Sequence, residues 1–205
     1  MFLRLLDHGA RARAAGNYGI AAAYVVRSEG TEIVCFGENS VFSEQDPTGH
    51  AELNSLRLAR RIAGADRGER DRLLGNERCV LLRDAPHDRF ETLLYSTLEP
   101  CPMCTVAIIN ANVERVFVAH ADPPAGALLH LDRLPPLWGD FATERELEVV
   151  KATDEGSDGV VPGELADLLN RLFLDGKDEL DRRLTADGLL PAKRLAAVVR
   201  SSRLV

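Results

Sequence analysis

Cysteine is scarce in this chain: four in 205 residues, at Cys35, Cys79, Cys101 and Cys104. So few, without the paired spacings of secreted scaffolds, give no sign of a disulfide framework and fit a reducing compartment. Long apolar runs are also missing. None approaches the ~20 residues of a membrane-spanning helix, and the opening Met1-Phe2-Leu3-Arg4 lacks the layout of a secretory signal. A cytoplasmic protein with no membrane partner is expected. Internal repeats and low-complexity segments are absent. So is a positive balance: the net charge of −7 disfavours general attraction to a nucleic-acid backbone, while leaving room for a local basic patch.

What is present is an ordinary globular composition, 45% hydrophobic and 28% charged. It is enough for one domain with embellishments around a sizeable core. Residues 2–15 read as a helix. Two β-like runs follow, 20–27 and 32–37, joined at Ser28-Glu29-Gly30-Thr31 as a hairpin. A polar loop over 38–49 leads into a helix over 50–63, with Leu53, Leu56, Leu58 and Ile62 expected inward. Residues 64–90 are punctuated by Gly64, Gly68, Gly75 and Pro86 and balanced between arginines and acids. They read as a surface excursion holding at most a short strand at 79–82. A strand over 92–97, a buried helix over 102–111 and a strand over 115–120 come next, and 147–151 offers a fifth strand. Leu165, Leu168, Leu169, Leu172 and Phe173 define a late amphipathic helix interrupted at Gly176. The tail 188–205 carries four basic residues and no acid, and either packs as a helix or frays. Strands alternating with helices indicate an α/β sandwich with a mixed sheet.

The chemistry is concentrated in two clusters, His50-Ala51-Glu52 and Pro100-Cys101-Pro102-Met103-Cys104. One imidazole and two thiolates supply three zinc ligands and leave a tetrahedral ion one open position. His50 opens one expected helix. Cys101 precedes another, and Cys104 sits in its first turn, where helix dipoles and free N–H groups favour thiolates. Proline is tolerated at the first helical position because its missing N–H has no partner there. Glu52, two residues after the histidine, is a proton carrier that need not bind metal. A structural zinc closes with four protein ligands. No fourth stands at convincing spacing, and Cys79, His87 and His120 remain formal candidates. Cys35, within Ile33-Val34-Cys35-Phe36, reads as a small buried hydrophobe. His8, His87 and His130 read as surface or loop histidines, and His120 as a core or pocket-edge residue.

At these residues the chain resembles the cytidine-deaminase superfamily, in the branch of tRNA-adenosine, guanine and cytosine deaminases, whose signature is H-x-E followed by P-C-x-x-C. The segments that carry the likeness are NSVFSEQDPTGHAEL (39–53), YSTLEPCPMCTVAIIN (95–110) and, more loosely, VFVAHADPPAGA (116–127). The resemblance implies a three-layer α/β/α sandwich with a mixed five-stranded sheet, usually as a homodimer or larger oligomer. It implies Zn2+ on His50, Cys101 and Cys104, Glu52 as the catalytic acid–base, and Asn39, the Ala51 N–H and Asp122 as substrate-binding groups. The deaminase domain is expected over 1–160, and a C-terminal helical extension packed on it over 161–205. Thr105-Val106 depart from the small residues usual after the second cysteine. Tyr18-Gly19-Ile20-Ala21 blur the usual aromatic-Gly-Ala.

Two functions follow. One is deamination of a small-molecule base or nucleoside, guanine-like by slight preference. The other is deamination of adenosine in tRNA, suggested by the Asp122-Pro123-Pro124-Ala125-Gly126-Ala127 loop. Against tRNA stand the overall acidity and the late helical region 164–184, with six acids against four bases and no basic face for phosphate. A third class, a zinc-stabilised module without catalysis, would leave Glu52 idle.

Overall fold

A computed structural model describes residues 1–153 and 161–187. Its strands are β1 (Ala21–Ser28), β2 (Thr31–Glu38), β3 (Cys79–Arg83), β4 (Glu91–Ser96), β5 (Arg115–Val118) and β6 (Glu148–Lys151). They form one mixed sheet in the order β3-β2-β1-β4-β5-β6. The β3–β2, β2–β1 and β1–β4 pairs are antiparallel, and β4–β5 and β5–β6 are parallel. The hairpin turns at Glu29-Gly30, both with positive φ, as a two-residue turn matched to strand twist requires.

Period-two alternation sorts side chains to the two faces. Ala21, Ala23 and Val25 of β1, Leu93 and Tyr95 of β4 and Phe117 of β5 pack with Phe2 and Leu5 of α1 (Phe2–Ala14) and with Leu165, Ala166 and Leu169 of α6 (Gly163–Leu174). Tyr24, Leu94, Val116 and Val118 turn the other way, onto Leu56 of α2 (Ala51–Gly64) and Ile108 of α4 (Pro102–Asn110). Tyr95 stacks on Phe117 with ring centroids 4.6 Å apart. Helices thus cover both faces, giving the three-layer α/β/α sandwich.

The sheet has six strands rather than five. The segment 64–90 holds the short strand expected at 79–82, as edge strand β3, and a helix that was not expected, α3 (Arg67–Leu74). Asp66 caps α3 by accepting from Glu69 N–H at 2.9 Å, and Leu73 and Cys79 close over Cys35 and Ile62. The segment 121–146, for which periodicity gave no element, holds a short 3-10 turn (Leu131–Arg133) and α5 (Pro136–Glu144). Gly176 (φ +71) separates α6 from α7 (Lys177–Asp187), where the break was expected. The tail from 188 onward, and with it the end of the expected extension, lies outside the described residues. Among the described residues no helix is long and apolar enough to cross a membrane.

Two expected orientations differ. The leucines of α2 are only half-buried; its buried face is Ala51, Glu52, Ser55 and Ile62. The cause is the close approach of α2 to β2. A Cβ on Gly37 would stand 2.0 Å from Ala51 O and 2.5 Å from Ser55 N, so small residues line the contact and leucines flank it. His8 is no surface histidine. It is 6% exposed, stacked on Phe36 with centroids 4.4 Å apart and hydrogen-bonded through Nδ1 to Glu38 at 2.7 Å.

Gly37→Ala should therefore push α2 off the sheet and lower stability by about 1–3 kcal/mol, read as a lower urea midpoint. Because α2 carries His50, bound zinc should fall in the same variant. An unchanged midpoint would mean that the contact relaxes freely.

Candidate metal and substrate site

His50 occupies the N-cap of α2 and Cys101 the N-cap of α4, both with extended backbone (ψ 148° and 171°). Pro102 is the first residue of α4, and Cys104 lies in its first turn. The two helix starts converge. His50 Nδ1 is 3.7 Å from Cys101 Sγ and 3.5 Å from Cys104 Sγ, and the three ligand atoms lie within 4.8 Å of one another. A tetrahedral zinc with Zn–S of about 2.3 Å and Zn–N of about 2.0–2.1 Å sets a sulfur–nitrogen edge of about 3.6 Å. The spacing and donor set fit zinc. Cys79, His87 and His120 stand outside this cluster; Cys79 is instead the cross-strand partner of Cys35, and His87 Nε2 faces Glu32 at 3.3 Å.

Charge is unevenly shared among the three side chains. Hydrogen bonds from Cys104 and from His50 bring the Cys101 thiol down to about 4 against its burial. Cys104 is pushed up by sharing its proton with Cys101 and by burial. The hydrogen bond to Cys101 raises His50. Zinc binding would expel the protons left on Cys104 and His50.

Glu52 follows in the first turn of α2 and is 4% exposed. Burial pushes its carboxyl above the usual range, since desolvation disfavours the charged form. Ser96 Oγ, at the end of β4, donates to Oε1 at 3.1 Å, and Cys104 Sγ donates to Oε2 at 3.5 Å. The carboxylate is thus anchored from the sheet while its helix places it beside the ligands.

A cavity of about 450 Å³ opens on this cluster, within the range of small-molecule sites. Asn39, His50, Glu52, Cys101 and Asp122, all predicted from sequence, line it. Cys104 and Ala51 lie fully buried, with the Ala51 N–H among the unpaired donors of the first helical turn. Asn39 is buried, and its Oδ1 accepts from Val41 N–H at 3.4 Å. Asp122 is half-buried, and its carboxyl is raised by burial.

Several lining residues were not anticipated. Glu99 accepts from the N–H groups of Asp122 at 2.9 Å and Leu129 at 3.0 Å, tying the loop after β5 to the cysteine loop. Gly126 permits this, because a Cβ there would sit 2.2 Å from Glu99 Cδ. Glu99 falls inside the quoted TLEPC string, and a carboxylate amid buried residues just before a ligand was the available signal. Ser96 is on the α2 side of β4 by alternation from Leu94. Tyr18, from the blurred aromatic-Gly-Ala string, also lines the cavity, as do Phe173, Lys177, Asp181 and Leu184, which nothing local marks.

The family model for the zinc-binding region of cytidine and deoxycytidylate deaminases matches residues 2–120. The chain is 32% identical over 110 residues to guanine deaminase of Bacillus subtilis, covering 52% of this chain and 56% of that protein. It is 27% identical over 177 residues to tRNA-specific adenosine deaminase of Haemophilus influenzae, covering 85% of this chain and 82% of that one. Guanine deaminase from Nitrosomonas europaea shares the fold, with a TM-score of 0.50 at 18% identity over 84% of this chain and 82% of that chain. The chain spans about half the length of the Bacillus subtilis relative and far less of another. The chain covers 18% of tRNA(Ile)-lysidine synthase of Deinococcus deserti, to which it is 36% identical over 116 residues, or 56% of this chain.

Purified protein should carry about one zinc per chain. Cys101→Ala and Cys104→Ala should each lose it by metal analysis and unfold at lower temperature. Full retention of zinc in both variants would rule the site out.

Proposed function

The chain belongs to the cytidine and deoxycytidylate deaminase family, and from that premise we propose that it hydrolyses the exocyclic amine of a small nucleobase or nucleoside, releasing ammonia. The observation that carries the reading is Glu52: a buried carboxylate, fixed by Ser96, in one cavity with His50, Cys101 and Asn39. A zinc ion held by His50, Cys101 and Cys104 would supply the Lewis acidity that activates water near neutral pH. The chain's own groups do the rest. Glu52 takes a proton from the attacking water, passes it to the ring nitrogen and then serves the departing amine. Its burial keeps the protonated form accessible at working pH, which a carboxylate that both accepts and donates requires. Asn39 and the Ala51 N–H orient the base, and Asp122 stands at the rim on the loop fixed by Glu99.

The small-molecule reading rests on the wall formed by Phe173, Lys177, Asp181 and Leu184, which closes the cavity with the chain's own late helices. A guanine-like base is favoured by the likeness to guanine deaminase of Bacillus subtilis. Deamination of tRNA adenosine is the second reading, favoured by the relative from Haemophilus influenzae that matches most of the chain. The homodimer implied by the family would seat on the groove between α2 and α4, where Leu53, Leu56, Ala59, Ala63 and Ala107 lie together.

Glu52→Ala should retain zinc and fold while turnover falls by roughly 10²–10⁴; near-normal turnover would remove Glu52 from the mechanism. Ammonia release should be measured on guanine, cytosine, adenine, their nucleosides and a tRNA anticodon stem-loop. Activity on a base or nucleoside should change little with moderate salt. Activity on the stem-loop alone, falling steeply with salt as phosphate contacts release counterions, would establish the second reading instead.

A further inference from the structure

We propose that Asp181, held between Tyr18 and Lys177, is a charge filter that lets the cavity take uncharged nucleosides and turns away their 5′-monophosphates. The proposal rests on the deaminase reading above and names the substrate class that reading leaves open.

Tyr18 Oη donates to Asp181 Oδ1 at 2.6 Å, and Lys177 Nζ donates to Oδ2. The Tyr18 ring lies between Phe42 and Phe173, at centroid distances of 5.7 and 6.2 Å, so its hydroxyl is aimed from both sides. Lys177 also sits over the Phe173 ring at 5.9 Å. Against the burial that raises it, the bonds from Lys177 and Tyr18 hold the Asp181 carboxyl below its ordinary range, so its charge is present at neutral pH.

Among the described residues, Lys177 is the one lysine or arginine on the cavity wall. Its charge is already engaged by Asp181. Asp122 and Glu99 line the same cavity and add two further carboxyls. The N-terminus of α7 offers no relief, because Asp178 and Glu179 occupy its first turn and oppose an incoming anion. A phosphate dianion leaving water needs charged donors, and here it meets carboxylates.

An uncharged sugar meets a different surface. With the amine-bearing carbon at the ligand cluster, the substituent on the far side of the base is directed away from that cluster, and Lys177 and Asp181 are the paired polar groups of the same cavity outside it. A hydroxyl both donates and accepts. It can take a hydrogen bond from the remaining Lys177 N–H groups and give one to a free lone pair of Asp181.

Asp181→Asn tests this with little change of shape, since the amide oxygen can still accept from Tyr18. Specificity constants are compared for guanosine, adenosine and cytidine against their 5′-monophosphates. Wild type should prefer the best nucleoside over its monophosphate. In Asp181→Asn that ratio should fall by on the order of tenfold or more as one like charge is removed and Lys177 is released, mainly through a lower KM for the monophosphate. Lys177→Gln breaks the same contact but removes the cation, and the ratio should not fall. A fall in both variants would mean that loosening α7 is what matters, and would overturn the filter.

Calorimetry on zinc-loaded Glu52→Gln protein repeats the comparison without turnover, with and without Asp181→Asn. Discrimination in binding together with no ammonia from any compound would leave the filter standing and sink the deaminase reading. Equal use or binding of nucleoside and monophosphate by the parent protein, an unchanged ratio in Asp181→Asn, binding of free bases alone, or binding of neither class would overturn the proposal.

Discussion

The α2 backbone lies against β2 so closely at Gly37 that no side chain fits between them, and the site is built on that contact. A helix held this near can bury only small residues on the facing side, hence Ala51 and Ser55. The same proximity carries Glu52 out of water and against the end of β4. The raised proton affinity of Glu52 is therefore a consequence of packing. A carboxyl this buried is tolerable because Ser96 donates to it and because it can hold a proton; an ionised group with no partners there would be far costlier. Glu52 and His50 ride on one helical turn, so whatever fixes α2 fixes both.

Topology brings the rest of the site to the same place. β1 runs antiparallel to both β2 and β4, with Ala21 opposite Glu38 and Ala22 opposite Ser96. The start of β1 therefore meets the ends of β2 and β4 at one edge of the sheet. The parallel pairing of β4 with β5 adds the end of β5 to that edge. Tyr18, Asn39, Glu99 and Asp122 leave these four strand ends, where open α/β sheets bind their ligands. Glu99 then turns neighbouring loops into one piece by accepting backbone N–H groups from the loop after β5. A loop anchored through its backbone keeps its position whichever side chains it carries, and this is how Asp122 is presented.

What the sequence made legible follows the range of the physics involved. Metal ligation demands particular side chains at short spacings, so His50, Cys101 and Cys104 stood out. Strands covered on both faces read as short, nearly continuous apolar runs, so β1, β2, β4 and β5 were visible within a residue or two. β3 was faint because it is a five-residue edge strand with Leu82 and Arg83 exposed, so its hydrophobic pattern runs out midway. α5 buries only Ala142 and gives almost no periodic signal. His8 was misread because its partner Glu38 is 30 residues away, and Tyr18 meets Asp181 across 163. Glu99 was in plain view within the motif, but its work is done on backbone groups of another loop, which no side-chain pattern records. Roles set by who the neighbours are become readable only once the chain is folded.

Chemistry and substrate choice are divided along the chain in the same way. The segment matched by the family model ends at residue 120 and contains the three ligands, Glu52, Ser96, Asn39 and Glu99. Asp122, Phe173, Lys177, Asp181 and Leu184, which finish the cavity, all lie beyond it. Likeness within the matched segment therefore bears on the ligand cluster and Glu52, and only weakly on the residues that finish the cavity. The likeness to guanine deaminase of Bacillus subtilis spans 110 residues, whereas that to tRNA-specific adenosine deaminase of Haemophilus influenzae spans 177 and so reaches past this segment. In this chain the cover is α6 and α7. α6 is welded to the core through Leu165, Ala166 and Leu169, whereas α7 turns off at Gly176 and is held over the cavity by Tyr18 and by Arg183 resting 4.8 Å above the Phe42 ring. A cover fixed at its base and pinned by a few polar and aromatic contacts can change its wall residues without disturbing the ligands beneath, so selection for a new substrate would act there first.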